Sequence, residues 1–112
     1  MTAEAIFDSA IIIKLLKAAK DTPVNFAFVT GGAKDVMAVD RHRAPEQLFQ
    51  MAKKEGGSTR GTWGTATCSG SKVQFAVEKE IPGLKKLINT WFHQNKLPLK
   101  ALIGDADQDD DE

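Results

Sequence analysis

The chain of 112 residues holds one cysteine, no tyrosine and two histidines, and its formal net charge is zero. A lone Cys68 leaves no internal disulfide to form, and a reducing compartment suits it. His42, Cys68 and His93 are scattered, without the Cys-x-x-Cys or His-x-x-x-His spacing that a metal site needs. No metal and no cofactor is therefore expected. Nothing resembles a Ser-His-Asp arrangement for nucleophilic catalysis. No apolar run approaches the ~20 residues of a spanning helix. The first eight residues carry Glu4 and Asp8 where a secretory leader would carry Lys or Arg. These absences predict a cytoplasmic, non-catalytic protein with no membrane partner.

Hydrophobic residues make up 42% of the chain and charged residues 27%, an ordinary balance for a folded domain. The zero charge hides an asymmetry. Asp105, Asp107, Asp109, Asp110, Asp111 and Glu112 are six acids without a base between them. Removing those six from fifteen acids leaves nine against fifteen Lys and Arg, so residues 1–104 carry +6. The expected organisation is one domain over 1–104 and a disordered acidic tail over 105–112, because like charges repel and stay solvated. Such a tail keeps a small protein soluble. It would also compete with an acidic or phosphate ligand for the basic body.

Apolar residues recur at helical spacing from Glu4 to Lys20, centred on Phe7, Ile11, Leu15 and Ala18, with Thr2 as the expected cap. After Thr22-Pro23, Val24–Val29 and Val36–Asp40 read as a hairpin. Pro45 opens a second helix that closes at Gly56, with Leu48, Met51 and Ala52 inward. A strand from Thr59 to Ser69, a tight turn at Gly70-Ser71 and a strand from Lys72 to Glu80 follow. Pro82 opens a third helix, with Leu84, Leu87, Ile88 and Trp91 in one stripe. Leu99–Ile103 leaves room for a short fifth, edge strand.

Val36 and Val73 begin matching strands and Pro45 and Pro82 matching helices, each pair 37 positions apart. The fold class expected is α+β. It is a two-layer sandwich built from a repeated helix-hairpin unit, α-ββ-α-ββ-α, with an antiparallel sheet and helices mainly on one face.

Turn geometry sorts the side chains. A turn closed by Ser69 and Lys72 pairs Cys68 with Val73, Ala66 with Phe75 and Gly64 with Val77 on a core face. A four-residue loop sets Phe28 opposite Met37 and Phe26 opposite Val39 on the same face. The other face carries Val29, Val36, Ala38, Trp63 and Thr65. Left uncovered, it would be a contact surface, since Trp buries a large area and keeps one donor. A helix folded over it would make Trp63 core, and a register slip of one residue would exchange the faces.

The densest polar cluster is Asp40-Arg41-His42-Arg43, which with Arg60 offers a candidate anion site. His42 would serve there as a base if a carboxylate oriented it, although a solvated loop explains the cluster more simply. Thr30-Gly31-Gly32-Ala33-Lys34 lacks the longer phosphate-loop pattern and reads as a hairpin turn.

Apolar surface exceeds what three helices and one sheet can hide. The expected function is a protein-interaction module that pairs with itself, a homodimer, or with another protein. The alternative is a single-stranded nucleic-acid binder whose acidic tail competes for the site, with Trp63 stacking a base. A small enzyme centred on His42 stands third.

Overall fold

A computed structural model describes residues 5–6, 8–56, 60–78 and 83–103. Among them the elements run β1 (Ala5–Ile6), α1 (Ser9–Ala18), β2 (Val24–Thr30), β3 (Val36–Asp40), α2 (Pro45–Gly56), β4 (Arg60–Ser69), β5 (Lys72–Val77), α3 (Leu84–Gln94) and β6 (Lys100–Ile103). The strands form one sheet in the order β1-β3-β2-β4-β5-β6. The protein has the α+β content read from its sequence. The sheet is mixed rather than wholly antiparallel, because β6 lies parallel to β5 after the α3 crossover. The acidic segment 105–112, Thr2 and Pro82 lie outside the described residues.

Both hairpins take the register that their turns dictate. Phe28 faces Met37 and Phe26 faces Val39, while Cys68 faces Val73 and Ala66 faces Phe75. Gly70 has φ 65° and Ser71 does not share its positive φ, the mark of a type II′ turn whose twist matches the strands. The first helix starts later than its periodicity suggests. Asp8 caps it, its carboxylate accepting from the amides of Ala10 at 3.0 Å and Ile11 at 3.4 Å. Ala5 and Ile6, read as the start of that helix, instead pair with Val39 and Ala38.

Helices lie on both faces of the sheet, not mainly on one. Ile12, Leu16 and Ala19 of the α1 segment and Leu84, Ile88, Trp91 and Phe92 of α3 pack over Phe26, Phe28, Met37, Val39 and Phe75. On the opposite face Leu48 and Ala52 of α2 pack over Ala27, Val29, Val36 and Ala38. In α1 the buried stripe is rotated by one residue to Ile12, Leu16 and Ala19, leaving Ile11 40% exposed, whereas in α3 Leu84, Ile88 and Trp91 are buried as expected and Leu87 alone is 36% exposed. The 37-residue repeat holds only in part. The two hairpins sit side by side, but α2 and α3, its matched helices, take opposite faces.

The larger core is organised by rings. Phe26 meets Phe75 at 5.0 Å, Phe75 meets Phe92 at 5.9 Å, Phe92 meets Trp91 at 5.7 Å and Trp91 meets Phe28 at 6.0 Å, all edge to face. Such pairs add about 0.5–1.5 kcal/mol each beyond their buried area. Phe26 and Phe75 belong to strands separated by β4, where their cross-strand partners are Gly64 and Ala66. Small residues on β4 thus let the large ones touch above it.

Helix α3 ends in a Schellman turn: the amide of Lys96 donates to the His93 carbonyl at 3.0 Å and that of Leu97 to the Phe92 carbonyl at 2.9 Å. Lys96 occupies the left-handed position, φ 55°, which favours glycine.

Three substitutions test these points, two by urea unfolding and one by thermal unfolding. A Cβ at position 64 would stand 2.0 Å from the Ala76 carbonyl oxygen, so Gly64→Ala should cost about 3 kcal/mol. Gly70→Ala, where nothing lies within 4 Å, should cost only about 1 kcal/mol and serves as the control. Equal effects would sink the packing argument. Lys96→Gly should stabilise by about 1 kcal/mol, read as a rise in Tm of roughly 4 °C; an unchanged or lower Tm would contradict the Schellman assignment.

Candidate functional site

Strand β5 alternates without interruption: Val73 and Phe75 are buried, whereas Lys72, Gln74 and Ala76 are exposed. Register places Thr65 beside Ala76, Thr67 beside Gln74, Leu102 beside Gln74 and Lys100 beside Lys72. Helix α2 packs against β2, β3 and β4. Beyond Trp63, none of the described helices covers that side of the sheet over β4, β5 and β6. Trp63 itself is half-buried at the boundary, touching the α2 cluster that includes Phe49 and Met51.

The five residues expected to form an interface are therefore divided. Val29, Val36 and Ala38 are 0%, 2% and 0% exposed beneath α2, so in this fold they are core and not contact surface. Trp63 and Thr65 remain half-buried at the edge of the open region. The residues that complete the bare face, Thr67, Gln74, Ala76 and Leu102, were not singled out from the sequence. Their signal was the strict alternation of Lys72–Val77, which marks a strand with one wet side.

The bare face carries a charge gradient. At one end Lys72 and Lys100 are cross-strand neighbours, a like-charge pair that repels. At the other, the exposed Glu78 donates its amide to the Trp63 carbonyl at 3.1 Å. About 20 Å of strand separates the two ends.

The four candidate anion residues are not brought together. Asp40, at the end of β3, pairs with Asn25, whereas Arg60 pairs with Thr30 five residues further along β2. These levels are roughly 17 Å apart. Asp40 is buried, its side chain 6% exposed, and its carboxylate accepts from the backbone amide of His42 at 2.7 Å and meets Arg43 Nε at 3.7 Å. The side-chain amide of Asn25 donates to the Arg43 carbonyl. Asp40 thus folds the loop leading into α2 and spends its carboxylate there. The His42 side chain is exposed, and Asp40 grips its backbone rather than its ring.

Cys68 is buried, its thiol donating to the Gly70 carbonyl at 3.7 Å. Among the described residues no three His, Cys, Asp or Glu side chains gather as metal ligands. No described helix is long and apolar enough to cross a membrane. One polar depression of about 450 Å³ lies between the β2–β3 turn and the end of α3, lined by Lys34, Asp35, Trp91, Gln94 and Asn95 among others. A second, shallow trough follows the outer side of α3. No family model, curated protein or solved structure matches the chain.

Proposed function

We propose that the protein is a non-catalytic interaction module that pairs with a second copy of itself through the bare face of β4, β5 and β6. The observation that carries this reading is the half-sheet left without a helix, with Trp63 half-buried at its border. Thr65, Thr67 and Ala76 are small, so two such faces can approach to the ~10 Å of stacked sheets. Three strands at ~4.8 Å spacing and ~20 Å length offer on the order of 300 Å² of planar footprint. That lies well below the ~800 Å² per partner of a standard interface, so the pairing belongs to the weak, transient class.

Sedimentation equilibrium from micromolar to millimolar concentration provides the test. The wild type should shift toward dimer as concentration rises. Ala76→Lys, which sets a charge in the middle of the face at an exposed position, should remain monomeric with an unchanged circular dichroism spectrum. A wild type that stays monomeric at millimolar concentration removes the reading.

The Lys72–Lys100 pair favours a second reading, a single-stranded nucleic acid laid across the same face with Trp63 stacking on a base. Glu78 at the tryptophan end opposes it. Titration with an oligonucleotide should then alter tryptophan fluorescence with a steep salt dependence, and Lys72→Ala should weaken binding. Absence of binding at low salt would dispose of this second role.

A further inference from the structure

The three helices differ in one respect that their amphipathic patterns conceal. In α1 the lysines at 14 and 17 are bracketed by Asp8 and Asp21, and α2 sets Glu46 and Glu55 beside Lys53 and Lys54. Helix α3 has no such balance. Residues 83–103 contain Lys85, Lys86, Lys96 and Lys100 and no acid at all. Burial of Leu84, Ile88, Trp91 and Phe92 fixes the rotation of α3 and keeps Lys85, Lys86 and His93 outward. Between them runs the shallow trough of about 700 Å³, lined by Gly83, Lys85, Lys86, Asn89, Thr90 and His93. Its charged side chains are all basic and its neutral ones, Asn89 and Thr90, can donate hydrogen bonds.

We infer that the outward face of α3 is a docking surface for a polyacidic peptide, and that its occupant is segment 105–112 of the same chain. Six acids and no base in that segment match Lys85 and Lys86 on an outward face whose lining holds no acid. The tether also fits. Strand β6 packs beside α3 and ends at Ile103. Residues 104–112, fully extended, reach about 30 Å, whereas the 11 residues of α3 are about 16 Å long. Binding within one chain raises the effective concentration of the acids to the millimolar range, which individually weak exposed ion pairs need in order to hold. Docked there, the segment neutralises a helix face that is otherwise open to an anionic partner. This inference does not rest on sheet pairing, because α3 and the bare face lie on opposite sides of the sheet.

The test compares the full chain with a full-length variant in which Asp105, Asp107, Asp109, Asp110 and Asp111 are changed to Asn and Glu112 to Gln. At low salt the backbone amide resonances of 85–93 should differ between the two. In 1 M salt, where the screening length is about 3 Å, the difference should vanish. Zero-length carbodiimide cross-linking should join the segment to Lys85 or Lys86, and the variant Lys85→Glu/Lys86→Glu should lose those links. In a mixture of ¹⁴N- and ¹⁵N-labelled chains every link should be within one isotope. Shifts that spare α3, shifts centred on Lys53 and Lys54, salt-insensitive differences or links between isotopes would each overturn the assignment.

Discussion

Aromatic side chains from two strands meet above a third strand that is kept small for them, and most of the architecture follows from this arrangement. Gly64, Ala66 and Cys68 line the inner side of β4 and leave a trough between β2 and β5. Phe26 and Phe75 close over it at 5.0 Å. Phe92 and Trp91 of α3 continue the contacts to Phe28, so the rings fasten α3 to strands two apart in the sheet. With α3 held this way, the chain returns beside β5, and β6 completes the sheet in parallel. Helix α1 fills the remainder of that face through Ile12 and Leu16.

Hairpin register was legible in the sequence because period-two alternation and turn geometry act on the same few residues. Ser69-Gly70-Ser71-Lys72 admits few turns, and Lys72–Val77 alternates, so each constraint fixes the other. The placement of α2 was less legible, yet a signal existed. Val36-Met37-Ala38-Val39 is apolar at every position and Val24–Val29 nearly so, and strands buried on both sides read as continuous runs. Weighing those runs against the alternation of β5 would have placed helices on both sides of β2 and β3 and on only one side of β5. The first strand was hidden for another reason. Ala5 and Ile6 merge into the apolar periodicity of the helix that follows, and only the capping carboxylate of Asp8 divides them.

The polar cluster at 40–43 shows how a promising local pattern is consumed by structure. A buried carboxylate must find donors, since leaving it unsatisfied costs several kcal/mol. Asp40 finds them in the His42 amide and the Arg43 guanidinium, and the loop conformation follows. Sequence adjacency brings His, Arg and Asp together equally well for catalysis and for a turn. Burial of Asp40 beside the entrance to α2 decides for the turn.

Where such a molecule offers itself to another follows from what its own elements leave open. Among the described residues the edge strands are short, two residues in β1 and four in β6 with a lysine at its start, which disfavours edge-on strand addition. One sheet face is covered by α1 and α3, and α2 covers half of the other. Among the described residues two surfaces of different chemistry remain: a small-residue face over β4, β5 and β6, and the lysine-bearing outward face of α3. Contact through Trp63, Ala76 and Leu102 at the first would depend weakly on salt, while ion pairing at the second would disappear within a short screening length. Ionic strength would therefore separate the two proposed contacts.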